Sequence, residues 1–173
     1  MLVGGVIGFV ASFLLTIDKI KLLKDSQFVP SCNISETLNC KSVMLSEQAE
    51  VFGFPNSIIG IAAFAIFIAV GIAVLGGVTF PSWFWQIALG GTVLATIFSH
   101  WLAFQTTFEI GALCPYCMVA WVGTFFILSS VIQENLRPRF ESSYTVERIA
   151  MFMPIFHLLW AGLLITAAFA GVA

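Results

Sequence analysis

Four cysteines in a chain of 173 residues fall into two close pairs, Cys32 with Cys40 and Cys114 with Cys117. The second pair forms the motif Cys114-Pro115-Tyr116-Cys117, set within "IGALCPYCMVAW" at the lip of a strongly apolar run. A proline directly after Cys114 suits the first turn of a helix, where its missing N–H has no partner to lose. A thiol placed there meets unpaired backbone N–H groups and the positive end of the helix dipole, and both favour the thiolate. Such spacing also lets the two sulfurs close a small, readily exchanged disulfide. This is the pattern of a redox centre, with a structural staple or half of a zinc site as the plainer alternatives. Cys32 and Cys40 are separated by seven residues in a polar loop beside Pro30 and Ser31. That loop can swing, so that one cysteine meets partners in solution while the other reaches Cys114; alternatively the pair only closes the loop. A zinc site built from all four sulfurs departs from the usual ligand spacing of about two to four residues.

The elements that must position these thiols are dictated by lipid. The chain is 60% hydrophobic and 9% charged, whereas a soluble domain needs roughly a quarter of its residues charged. An all-α integral membrane protein is therefore expected. A net charge of −2 without any Lys/Arg block excludes nucleic acid as a partner. Five apolar segments, residues 2–22, 56–79, 83–107, 113–133 and 149–172, are each long enough to cross the hydrocarbon core as helices. The first, "MLVGGVIGFVASFLLTI", lacks a basic start and a small-residue cleavage site and is expected to be a retained anchor; short for a span, it either continues through Lys19 and Lys21 by snorkelling or lacks a natural N-terminal tail. "GGVTFPS" and "FEIGAL" are short connections, "ENLRPRFESSYTVER" is a polar linker, and residues 23–55 form the one long loop. Within that loop "SVMLSEQAEVF" has the spacing of a short interfacial helix.

Parity of the spans puts both cysteine pairs on one side of the membrane, so a relay between them is geometrically open. The basic residues are nearly balanced between that side (Lys19, Lys21, Lys24, Lys41) and the other (Arg137, Arg139, Arg148), and slightly disfavour an outward cysteine face. Disulfide chemistry favours an oxidising compartment, which turns the cysteine face outward.

Electrons taken from thiols need an acceptor. Met118 follows Cys117, so no Cys-x-x-Cys-His haem motif exists, and no dinucleotide fingerprint occurs. His100 and His157 lie in different spans and are read as singly hydrogen-bonded side chains rather than a haem pair. Glu109 sits near a span end, and the intramembrane acids of a proton-coupled transporter are nearly missing. A lipid-soluble acceptor remains, and a quinone fits best. Its pocket needs apolar walls and a few polar groups. Asn56 and Ser57 at the start of the second long apolar segment are candidates, as is Trp121, one helical turn beyond Cys117 and on the same face.

The order Cys32, Cys40, "FGFPNSIIG", "HWLAFQ" and then Cys114-Pro115-Tyr116-Cys117 opening a helix resembles the vitamin K epoxide reductase family over residues 1–133. It looks most like the bacterial, actinobacterial-type branch with a fifth span and no fused thioredoxin domain. The resemblance implies a four-helix bundle around a quinone, menaquinone or ubiquinone, over residues 1–133, capped by the loop and a half-helix. Residues 134–173 would then be a cytoplasmic linker and a fifth transmembrane helix. It further implies that Cys117 lies nearest the quinone ring, that Cys40 exchanges with Cys114, and that Cys32 exchanges with the redox partner. Asn56 corresponds to a quinone-bonding asparagine, and Ser46 to a serine of the loop helix. Trp121 stands where animal members have tyrosine, and an indole can donate a hydrogen bond but not accept one. The implied task is oxidation of a DsbA-like thioredoxin-fold protein outside the cytoplasmic membrane. Because the chain stops at Ala173, that partner is expected to be a separate protein, or the domain to have been removed; vitamin K epoxide is not the expected substrate. A DsbB-like protein does the same chemistry with the two pairs in the reverse order. From other classes, the alternatives are a non-enzymatic scaffold or transporter with structural disulfides, and a four-cysteine zinc site.

Overall fold

A chain that gives most of its surface to lipid must pair its backbone polar groups internally, and long helices do so within each segment. The computed structural model describes residues 1–138 and 144–172, so Arg139 and part of the polar linker fall outside the described residues. Its long helices are α1 (Leu2–Lys24), α3 (Asn56–Leu75), α4 (Ser82–Gln105), α5 (Pro115–Leu136) and α6 (Tyr144–Val172), with a short α2 (Cys40–Met44) in the long loop. Among the described residues the only strand-like pairing is a single isolated bridge. The all-α membrane architecture is thus the observed one.

Four helical stretches, over α3, α4, α5 and α6, are long and apolar enough to cross a membrane. The first helix, with Asp18, Lys19, Lys21 and Lys24 in its last two turns, lies outside that set. Its 23 residues still extend about 34 Å at ~1.5 Å per residue. Large apolar side chains such as Ile66, Leu94 and Leu159 point outward, which in lipid carries no hydrophobic penalty.

The packing order matters for the site. The first helix lies between α3 and α5, α4 packs on α5, and α6 packs on the far side of α5. The α1–α5 contact is close because glycines face one another. A Cβ on Gly123 would stand 2.7 Å from the Gly4 carbonyl oxygen, and one on Gly4 would stand 2.8 Å from the Gly123 carbonyl oxygen. Any side chain at either position forces the backbones apart. Although α3 and α4 are joined by a short turn, each leans on a different neighbour, which leaves space between them.

Two local departures from the expected segments bear on the site. The connection "FEIGAL" is not a plain loop: α4 continues through a π-helical turn at Thr106–Ile110. Thr106 and Thr107 both donate their hydroxyls to the Ala103 carbonyl, at 3.0 and 2.7 Å, and compete with the helical ladder there. Gly111 then adopts φ 66, a left-handed conformation that reverses the chain before α5. In the long loop, the expected single interfacial helix is instead two pieces, α2 and a 3-10 turn at Glu47–Glu50. Together they lie over one end of the bundle as a cap.

Candidate functional site: a line of sulfurs above an apolar cavity

The backbone of the cap is zipped to the start of α5. The Leu113 N–H donates to the Thr37 carbonyl at 2.7 Å, and the Asn39 N–H donates to the Leu113 carbonyl at 3.0 Å. This pairing is parallel, at the Leu38–Leu113 bridge, so the next residues along each segment bring Cys40 and Cys114 out side by side. Asn39 also caps α2 by accepting from the Ser42 N–H at 3.0 Å. On the other side, the Asn33 side chain accepts from the Lys41 N–H at 3.0 Å and holds the Cys32 segment against Cys40.

Cys32 and Cys40 are joined in a disulfide with their Cα atoms 5.8 Å apart. The Cys114 sulfur lies 3.1 Å from that of Cys40, while Cys114 and Cys117 are both free thiols. The two cysteine pairs are therefore in contact. All three sulfurs of Cys32, Cys40 and Cys114 lie within 4.8 Å of one another. Zinc needs thiolates, and in this state two of the three sulfurs are bonded to each other. Cys114 caps α5 with extended backbone, and Pro115 takes the first helical position. Its thiol is held below the ordinary thiol range, first by the hydrogen bond with the Cys117 side chain and then by the backbone N–H groups of Cys117 and Tyr116. Burial and the charge of Asp18 oppose that shift. A thiol made more acidic and set against a disulfide sulfur is the arrangement for thiol–disulfide exchange.

The cluster is closed to water. Cys32, Cys40 and Cys114 are 3%, 0% and 1% exposed, enclosed by Leu15, Leu22, Val43, Met44 and Ala112. Over it, the Ser31 and Tyr116 hydroxyls share a hydrogen bond of 2.9 Å, latching the residue beside Cys32 to the Cys-x-x-Cys.

Beneath the sulfurs lies a cavity of about 570 Å³, walled by α1, α3, α4 and α5 and roofed by the cap. Cys117 lines it, as do Asn56, Ser57, Trp121 and Ser46. All eight residues singled out in the sequence thus gather at this centre, three of them in the sulfur cluster and five around the cavity. Its apolar walls include Phe64, Phe67 and Phe98, and its outer rim between α3 and α4 includes Ile66 and Leu94, which are 60% and 69% exposed. The cavity therefore opens sideways, toward lipid.

The polar groups differ in what they have left to offer. The Asn56 amide donates to the Gln48 carbonyl at 2.7 Å, and its Oδ1 is buried with no partner. An orphaned buried acceptor calls for a donor on a ligand. Ser57 accepts from Thr16 at 2.7 Å and helps join α1 to α3. Ser46 donates to the Val43 carbonyl at 2.8 Å, so its hydroxyl proton serves the cap itself. Trp121 is 4% exposed and forms cavity wall, backed from behind by Leu164, Ile165 and Ala168 of α6.

Lys19 does not snorkel as its place in the sequence led us to expect. Its ammonium is buried, donates to the Met44 carbonyl at 2.7 Å and pairs with Glu50 at 2.9 Å. It lines the cavity. Lys21, half exposed, instead pairs with Asp18 at 3.6 Å. The sequence did carry a flag for Lys19, an ionisable residue close to the end of an apolar run. Nothing in the sequence announced the Ser31–Tyr116 latch or the pairing across Leu113.

His100 accepts from the Trp160 indole at 2.7 Å, and its Nδ1 bonds to the Thr96 carbonyl at 2.8 Å. His157 bonds to Ser129 at 2.6 Å. These side chains, with Gln133 donating to the Ala150 carbonyl at 2.6 Å, tie α6 to α4 and α5.

A helical membrane bundle that sets a dithiol between a disulfide and an apolar cavity has the parts of a membrane thiol oxidoreductase. The model of the vitamin K epoxide reductase family matches residues 1–132, and the chain belongs to that family. Such membership makes it a multi-pass membrane oxidoreductase of the thiol and quinone class. No curated protein matches the sequence.

Proposed function

We propose that this protein is a thiol:quinone oxidoreductase that oxidises a DsbA-like thioredoxin-fold partner and so drives disulfide formation in exported proteins. Its cysteine face lies outside the cytoplasmic membrane, where stable disulfides belong. The catalytic unit is residues 1–133, followed by a cytoplasmic linker and a fifth span within 134–173. The observation that carries this reading is the unbroken succession of sulfurs, Cys32–Cys40 against Cys114, with Cys117 next in the cavity wall.

In this scheme the partner's dithiol reduces the Cys32–Cys40 bond by attack at Cys32, and the partner leaves with a disulfide. Cys32 must be uncovered for that, so the Ser31–Tyr116 latch opens. The Cys40 thiolate then attacks Cys114 in an oxidised Cys114–Cys117 pair and displaces the Cys117 thiol. Attack by Cys32 on Cys40 releases Cys114 and restores the Cys32–Cys40 bond, which is the state seen in this structure. Asn56 and the apolar walls would hold a menaquinone or ubiquinone, which would supply the acceptor for the two electrons given up when Cys114 and Cys117 rejoin. The fit is favourable: the walls are apolar, the rim opens to lipid, and the orphaned Asn56 Oδ1 suits a hydroxyl of the reduced ring.

The test is quinone reduction by purified protein with a reduced thioredoxin-fold partner, followed by quinone absorbance. Cys114→Ala and Cys117→Ala should each abolish turnover. Full activity in either folded variant rules the scheme out.

A further inference from the structure

We infer that Lys19 delivers a proton to a carbonyl oxygen of the quinone during its reduction, and that Glu50 resupplies Lys19 from water. This rests on the quinone reading and assigns a residue to a step which that reading leaves without one. Reduction of a quinone by a dithiol moves two electrons and two protons. The electrons leave through the Cys114–Cys117 pair, but charge builds on the ring oxygens, in a cavity with almost no means to answer it. Among the lining residues Lys19 carries the only formal charge.

Its geometry suits the task. An ammonium has three donors. One is spent on the Met44 carbonyl and one on Glu50, both contacts that hold the group at the cap end of the cavity. The third is left for a ligand. The Lys19 side chain is 8% exposed and that of Glu50 38%, so the pair runs from the cavity to water. Asp18, the residue before Lys19, is engaged by Lys21. No charged side chain of α3, α4 or α5 lines the cavity, and Cys117 is the other titratable group there. Pinning the cap is the structural alternative, and it needs neither a charge in the cavity wall nor a route to solvent.

The step balances. As the Cys114–Cys117 bond forms, two electrons pass to the ring. One oxygen takes the Lys19 proton and the other takes the proton of the Cys117 thiol. Cys114 reacts as the thiolate released when Cys32 takes back Cys40, so it gives up no proton at this step, and Glu50 returns one proton from water to Lys19.

The experiment uses the full chain in detergent, reduced at Cys114 and Cys117, mixed with decyl-tailed ubiquinone. Two readouts are taken: the first-turnover rate in H₂O and D₂O, and the infrared carbonyl band of the bound, unreacted quinone in Cys117→Ala backgrounds. Lys19→Gln should slow the first turnover by about 100-fold, the ordinary contribution of a general acid, and should move the carbonyl band toward its free position. Lys19→Arg should keep the band shifted. Glu50→Gln should slow the later turnovers more than the first and keep the Cys32–Cys40 bond. A Lys19→Gln protein with wild-type first turnover and an unmoved band overturns the inference. So does a carbonyl band that is the same free and bound in the otherwise wild-type background, a measurement that needs no folded Lys19 variant. If the wild-type chain reduces no quinone, the broader reading fails first; if it does and Lys19→Gln matches it, only this inference falls.

Discussion

In the proposed relay Cys114 has to leave Cys40 as a thiolate while staying buried, and these demands conflict. Burial alone pushes a thiol toward its neutral form. The conflict is resolved by hydrogen bonds from Cys117 and from the first turn of α5, which win over burial and over Asp18. The reactive form is the deprotonated one, so its reactivity rises as pH rises through its lowered pKa and fails below it. Removing the largest contribution should shift that rise to higher pH. In Cys117→Ala, with Cys32–Cys40 kept oxidised, the alkylation rate of Cys114 by a small reagent should therefore need a more alkaline solution. A profile that stays in place would mean that the backbone N–H groups hold the thiolate by themselves. At this scale the sequence was informative: cysteine spacing and Pro115 pointed to a redox centre without help from the fold. Lys19 was misread because hydropathy treats a lysine near a helix end as bound for water, and the acceptors that captured it, the Met44 carbonyl and Glu50, come from a loop 25 and 31 residues further along the chain.

Between the elements, two contacts fix where the sulfurs stand. One is the parallel pairing of the cap with Leu113, which makes Cys40 and Cys114 neighbours whatever the rest of the loop does. A single bridge has no periodic signature, so no reading of the sequence could have found it. The other is the glycine contact of α1 with α5. Those glycines are visible in the sequence, but only the crossing shows which backbone each one admits. Gly123→Val should destabilise the protein by about 1–3 kcal/mol through forced separation of the helices. Gly90→Ala, where an added Cβ meets nothing within 4 Å, is the matched control and should be neutral or slightly stabilising. Thermal unfolding in one detergent compares the two; equal melting points would refute the close-packing argument.

Across the whole molecule, the matched family region ends at residue 132, yet the bundle does not stand apart from the helix beyond it. Through Ala168 and its neighbours α6 supports Trp121, and through His157, Trp160 and Ala150 it is bonded to α4 and α5. Apolar segments readily locate such a helix, but they are silent on which faces meet, because lipid and core have the same hydropathy. The same equivalence gives the sideways opening between α3 and α4 its meaning. A ring that enters from the bilayer is supplied in two dimensions, and its effective concentration is counted per lipid rather than per volume of water. In proteoliposomes at fixed total quinone, added lipid should lower the rate as the quinone is diluted within the membrane, while added buffer should leave it unchanged. Rates that track the water volume instead would mean that the ring arrives through the cap. On the proposed function, supply from the bilayer would make the enzyme a gauge of the membrane's own quinone pool: disulfide formation outside the cell would slow whenever that pool is thinned or already reduced, with no separate sensor needed.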